Sequence, residues 1–146
     1  MHWADEAACE AFARHLATHA ELRHATIELI GPLGAGKTTW VRHLLRALGV
    51  VGRIKSPTYT VVEPYELPGL PISHFDFYRF NNPHEWQDAG FRDLFASPGL
   101  KLCEWPERAG GALPVPDLRL LITPLSEHAR EVTLQACSAR GLALMT

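Results

Sequence analysis

Apolar positions along the chain fall into blocks of two different periods. Between Glu6 and His19, Ala8, Phe12 and Leu16 recur every four residues, and Asp5 stands where an N-cap carboxylate is wanted. That pattern predicts an amphipathic helix with one apolar stripe. A second helical block runs from Lys37 to Leu48. Val41, Leu44, Leu45 and Leu48 lie at i, i+3, i+4 and i+7, and Gly49 supplies the stop. The remaining blocks are short, and β-branched, alternating or continuously apolar. They predict strands at Ala25–Ile30, Thr58–Val62, Ile72–Phe77, Leu100–Glu104, Leu118–Ile122 and Glu131–Gln135. Pro64, Pro68, Gly69 and Pro71 predict a turn between the second and third of these. Asn82, Pro83 and Glu85 read as a helix start, followed by the apolar residues Trp86, Phe91, Leu94 and Phe95 in a segment loosened by Gly90. Pro106 to Pro116 reads as a loop. Strand, loop, helix and then further strands indicate an α/β sheet, mixed at its edges.

With 146 residues, the chain is expected to form one domain spanning residues 1–146. Its 47% hydrophobic and 21% charged residues are ordinary for a globular protein and exclude wholesale disorder. No apolar run reaches the length of about 20 residues that spans a bilayer, and Met1–Glu10 holds acids and no apolar stretch of a secretory signal. Cys9, Cys103 and Cys137 stand far apart, an odd number without CxxC spacing. Reduced thiols and a cytoplasmic location are therefore expected. The net charge is −2, and only Lys37, Lys55 and Lys101 are lysines. A chain that grips nucleic acid unaided usually carries a basic excess, so contact with RNA would require a partner. The eight histidines form no HExxH or His/Cys cluster.

One segment changes the picture. Gly31-Pro32-Leu33-Gly34-Ala35-Gly36-Lys37-Thr38 matches GxxxxGK[ST] at every fixed position, after a β-rich segment and before an amphipathic helix. Glycines let such a loop bring backbone amides against phosphate oxygens. The helix N-terminus adds to the anion cradle. Lys37, read as an exposed cation, reaches the β- and γ-phosphates, and the Thr38 hydroxyl serves Mg²⁺. No NKxD segment or DxxG switch is present, so ATP follows by elimination. A small-molecule kinase is the rival reading. The cluster Arg42, Arg46 and Arg53 would suit its lid, although Arg42 and Arg46 at i, i+4 also fit a solvated helix face.

Enzymes of this type place a carboxylate at the end of a neighbouring apolar strand. Two acids have that setting, Glu104 after Leu-Lys-Leu-Cys and Asp76 within His-Phe-Asp-Phe-Tyr. Either is costly inside an apolar strand unless paired or bound to a cation. Asp76 could instead pair with Arg79, and Glu104 could be a surface acid at a strand end. Cys103 stands where an Asp often precedes such a Glu. This leaves Glu104 for the metal and Asp76 for orienting water or substrate. Ser56-Pro57-Thr58-Tyr59 offers a hydroxyl suited to sensing a γ-phosphate, or simply a strand entry. Trp105 reads as core packing or as a wall near the nucleotide.

Together, Gly31–Thr39 (GPLGAGKTT), Lys55–Glu66 (KSPTYTVVEPYE), His74–Phe80 (HFDFYRF) and Cys103–Pro106 (CEWP) resemble the TsaE (YjeE) family, in this order and at similar spacing. The resemblance covers nearly the whole chain. It implies a P-loop NTPase-like three-layer α/β fold with a mixed, mainly parallel central sheet and antiparallel edge strands. It further implies a Mg²⁺-dependent ATPase, weak alone, acting in threonylcarbamoylation of adenosine 37 in tRNAs that read codons beginning with A. TsaD and TsaB are the implied partners, with tRNA met only through them and no membrane involved. Carried over by position, Gly34, Ala35, Gly36, Lys37, Thr38 and Thr39 hold phosphates, while Thr38 and Glu104 serve Mg²⁺. Lys37, Asp76 and Glu104 are the implied catalytic set. Thr58, Tyr59 and Trp105 form a switch-like wall, and Asp5 and Arg130 are expected near the base. Phe77 and Phe80 stand where leucine is common, and Pro32 removes one loop amide. A nucleotide-sensing module without turnover is the third class left open.

Overall fold

The computed structural model describes residues 1–80 and 90–146. The predicted helix start at Asn82–Glu85, with Trp86, lies outside the described residues. Seven strands form one sheet: β1 (His2–Trp3), β2 (Thr26–Ile30), β3 (Val62–Leu67), β4 (Leu70–Asp76), β5 (Leu100–Glu104), β6 (Leu118–Pro124) and β7 (Arg130–Ala136). Their order is β1-β7-β6-β2-β5-β4-β3. The pairs β2·β5, β2·β6 and β4·β5 are parallel, whereas β3·β4, β6·β7 and β1·β7 are antiparallel. The expected α/β fold with a mainly parallel centre and antiparallel edges is what the chain adopts.

Four α-helices complete the described chain: α1 (Glu6–Ala17), α2 (Lys37–Leu48), α3 (Phe91–Ala96) and α4 (Ala139–Leu144). Short 3₁₀ turns occupy Ala20–His24 and Pro106–Ala109, the latter inside the predicted loop. The Asp5 side chain accepts from the Ala8 N–H at 2.9 Å, the cap the sequence calls for. α1 ends two residues early at Ala17, where the Thr18 N–H already bonds to His15. α2 has the predicted limits and closes on a left-handed Gly49.

Strand alternation divides the core into two. Ile27 and Leu29 of β2, Leu102 of β5, and Leu118 and Leu120 of β6 pack with Leu16, Trp40, Leu44 and Leu45 of α1 and α2. On the opposite face Phe75, Phe77, Phe80, Phe91 and Cys103 form a smaller aromatic cluster. Glu28 points to that second face, is buried, and accepts from the Arg119 guanidinium at 3.0 Å.

Two expectations need correction. Thr58–Val62 is not a strand. Thr58, Tyr59 and Thr60 form a turn in which the Val61 N–H donates to the Pro57 carbonyl at 2.7 Å, and Val61 takes a left-handed φ of 70°. The strand starts at Val62 and runs through Pro64. β3 is an edge strand, and an edge accommodates a residue lacking N–H. Only Pro68-Gly69 turns the chain, so β4 starts at Leu70. β1 and α4 were not foreseen. A two-residue strand shows no periodicity, and β1 owes its existence to pairing with β7.

Gly31 joins fold to site. A Cβ there would sit 2.5 Å from the Ile122 carbonyl oxygen of β6 and 3.1 Å from the Ala35 Cβ, so the loop leaves β2 pressed against β6 backbone. Gly31→Ala is expected to destabilise the ligand-free chain by about 1–3 kcal/mol, the usual range for overpacking a tight contact. Urea unfolding measures it; an unchanged midpoint would mean that the loop has room to shift.

Candidate functional site

The loop after β2 wraps onto the start of α2. Gly36 has φ +103°, a conformation strained for any L side chain, and its carbonyl accepts the first α2 bond from Trp40. The Lys37 side chain folds back over the loop. Its ammonium donates to the Gly31 carbonyl and, at 3.4 Å, to that of Pro32. It also lies 3.8 Å from the centroid of the Trp105 ring. Lys37 is therefore buried, not exposed as read from the sequence. Burial lowers its pKa, opposed by the carboxylates of Glu104, Glu107 and Asp76.

The parallel registers bring the acids to this loop. Leu29 at the end of β2 pairs with Glu104, and Glu104 pairs with Asp76 across β4·β5. Both carboxylates thus stand at the carboxyl ends of adjacent parallel strands, where open α/β sheets bind ligands. The Thr38 hydroxyl lies 2.8 and 3.0 Å from the two oxygens of Glu104. Glu104 is 2% exposed and is not a surface acid. Cys103 is also buried, yet it packs with Phe75 on the opposite face. An acid at position 103 would point away from the loop, so alternation assigns the inward position to 104.

Asp76 accepts the Tyr78 N–H at 2.9 Å. Burial raises its pKa, with that backbone bond opposing. The alternative ion pair with Arg79 does not form. The Arg79 guanidinium lies over the Tyr59 ring, 4.5 Å from its centroid. Leu33, Gly34, Ala35, Lys37, Thr38, Thr58, Asp76, Glu104 and Trp105 line one cavity of about 130 Å³. Thr58 reaches it from the turn, where its hydroxyl lies 2.8 Å from that of Ser56.

Trp105 has a left-handed φ of 55°, which is unusual for a bulky residue. That conformation sets the indole between the Lys37 ammonium and the Tyr78 ring, 4.9 Å away. Trp105 thus lines the wall of the cavity and also packs against the aromatic cluster. Tyr59, also expected in that wall, is largely exposed beneath Arg79.

Asp5, Thr39 and Arg130 belong to a neighbouring space. With Trp3, Cys9, Ala35 and Gly36 they line a second cavity of about 80 Å³ on the other side of the loop. Arg130 donates to the Ala35 carbonyl at 2.7 Å and to the Ser126 carbonyl at 2.9 Å, so it braces the loop against the β6–β7 hairpin.

One buried residue escaped the sequence reading. His74 is fully buried on β4, and its Nε2 lies 2.6 Å from Glu104 Oε2. The available signal was its position two residues before Asp76 on a strand, hence on the same face.

The oxygen donors here fit Mg²⁺. That ion is usually held by one or two carboxylates or hydroxyls together with substrate phosphates and water. Among the described residues no group of three or more His, Cys, Asp and Glu side chains is built to hold a metal alone. Thr38 and Glu104 suit an ion that arrives with phosphates.

Known proteins resemble this chain in sequence and fold. The family model described as "Threonylcarbamoyl adenosine biosynthesis protein TsaE" matches residues 3–132. A protein of Haemophilus influenzae named tRNA threonylcarbamoyladenosine biosynthesis protein TsaE is 43% identical over 115 residues, 79% of this chain and 72% of its own. The protein of that name from Bacillus subtilis is 34% identical over 114 residues, 78% of this chain and 71% of its own. The crystal structure of Bacillus subtilis YdiB superposes with a TM-score of 0.81 at 28% identity, covering 99% of this chain and 89% of that one. With its phosphate loop, strand-end acids and mixed sheet, the chain belongs to the TsaE family.

Proposed function

We propose that this chain is the ATP-binding and ATP-hydrolysing component in the formation of threonylcarbamoyladenosine at position 37 of tRNAs reading codons that begin with A. It would act with TsaD and TsaB in the cytoplasm. The observation that carries the ATPase part is the bond from Thr38 to Glu104 at the mouth of a cavity also lined by Lys37 and Asp76. The names of the relatives support the tRNA part. Among the described residues no helix is long and apolar enough to cross a membrane.

In this reading the loop amides from Gly34 to Thr39 hold the phosphates, and Lys37 leaves the Gly31 and Pro32 carbonyls for the β- and γ-oxygens. Thr38 and Glu104 hold Mg²⁺, which when bound neutralises charge on the phosphate oxygens. Asp76 orients the attacking water. Its buried carboxyl, already held by the Tyr78 N–H, needs little further ordering. Thr58 senses the γ-phosphate, while Asp5 and Arg130 border the base. Arginine in cis or in trans is worth about 10³–10⁵ in rate to such reactions. No arginine is among the described residues lining the phosphate cavity. Slow turnover alone and dependence on a partner follow. The net charge of −2 fits tRNA being carried by the partners.

The test is ATP hydrolysis by the pure chain and then with TsaB–TsaD and tRNA. Phosphate release is expected to rise on addition, and complex formation is expected to favour ATP over ADP. Fast turnover indifferent to the partners would reject the reading.

Lys37→Ala is expected to abolish the stabilisation that Mg-ATP gives the wild type, about 2.7 kcal/mol at a ligand concentration 100 times Kd, which is read as a rise in Tm. The ligand-free variant should remain folded, since burial already disfavours the ammonium it removes. Equal shifts in both proteins, read by scanning fluorimetry, would reject the phosphate role.

Glu104 and Asp76 separate under Mg²⁺ titration of ATP binding. Glu104→Gln is expected to weaken the metal dependence together with affinity. Asp76→Asn should bind near-normally and lose turnover, by about 10²-fold or more if it acts on the water. The reverse pattern would exchange the two roles.

A further inference from the structure

The buried His74 presents a chemistry that the site as described does not use. Its imidazole is fully buried on β4, with Nε2 2.6 Å from Glu104 Oε2, and Nδ1 has no hydrogen-bond partner. Its cross-strand neighbour on β5 is Leu102. A neutral imidazole carries one N–H. An unpaired N–H in such a place is costly, so the tautomer that fits keeps its hydrogen on Nε2, facing Glu104, and leaves Nδ1 bare. Glu104 is then gripped on both sides, by the Thr38 hydroxyl in the loop and by His74 in the sheet. The two grips differ in kind. Thr38 is itself one of the proposed metal donors. His74 is anchored in a strand and lines neither of the two cavities beside the loop.

We propose that His74 is the positioning residue of the metal site. Its Nε2–H fixes the rotation of the Glu104 carboxylate, so that one oxygen stays turned toward Thr38 and the incoming Mg²⁺. This rests on the reading of Thr38 and Glu104 as the Mg²⁺-serving pair. Partners behind a metal-serving group commonly change metal affinity by about 10–100-fold when removed.

Two amide variants separate position from polarity. The Gln amide nitrogen lies near where Nε2 lies in histidine, whereas the Asn amide reaches only to the level of Nδ1. The measurement is calorimetric ATP affinity in excess EDTA and again in saturating Mg²⁺, the ratio being the metal's contribution. His74→Asn is expected to bind ATP in EDTA within about twofold of wild type and to lose about tenfold or more of the Mg²⁺ gain. His74→Gln should keep that gain within about threefold. A full Mg²⁺ gain in His74→Asn, an equal loss in both variants, or a loss in EDTA as large as that in Mg²⁺ would overturn the proposal. Should the Asn variant not fold, the Gln variant decides alone, because loss of its Mg²⁺ gain overturns the positioning role and retention supports it. A wild type that shows no Mg²⁺ gain would sink the metal site itself. A wild type with that gain, unchanged in His74→Asn, would sink only the role of His74.

Discussion

A carboxylate almost out of reach of water constrains everything around it. Glu104 is 2% exposed at the end of the innermost pair of parallel strands, and an ionised group in such a place needs partners from more than one direction. The strands and the loop meet that need jointly. β2 delivers the phosphate loop and, through it, Thr38; β4 delivers His74. Shifting β4 by one residue would turn His74 to the wrong face. The parallel register, set by the apolar residues of the central core, is therefore also what assembles the site.

The same crowding explains the position of Lys37. The ammonium is held by two loop carbonyls and by the face of Trp105. Trp105 can lie there because its backbone turns left-handed immediately after Glu104 and leads into the turn at Pro106–Ala109. The loop carbonyls and the indole share that one ammonium. The phosphate loop and the Trp105 segment are thus joined by one contact.

Much of this is legible in the sequence, and its limits have physical causes. The loop, α2 and β5 could be read because local pattern and tertiary role agree there. Gly36, Lys37 and Thr38 complete the GxxxxGK[ST] pattern, and Leu100–Glu104 is mainly apolar up to its acid. Thr58–Val62 misled because β-branched composition is only a propensity, and here the carbonyl of Pro57 captures the Val61 N–H and turns the chain first. Lys37 misled because lysine is rarely buried, yet the carbonyls of its own loop and an aromatic face suit it here. His74 passed unnoticed because its meaning lies in β5, thirty residues away, and no spacing within the segment reports a cross-strand partner.

Strand alternation carries the argument one step further. On β4 and β5, His74, Asp76, Leu102 and Glu104 lie on the side of the sheet that carries α2 and the phosphate loop, and Phe75 and Cys103 face the aromatic cluster. Chemistry and packing are thus interleaved residue by residue on the same two strands. A cysteine can stand at position 103 without harm to the site because that position never meets the ligand side. Its thiol, driven well above its ordinary pKa by complete burial, behaves there as a small apolar filler. The Glu104 backbone carbonyl accepts from Phe77, so the residue that carries the chemistry also continues the β4–β5 ladder. The ladder thus holds the Glu104 backbone, while Thr38 and His74 hold its carboxylate.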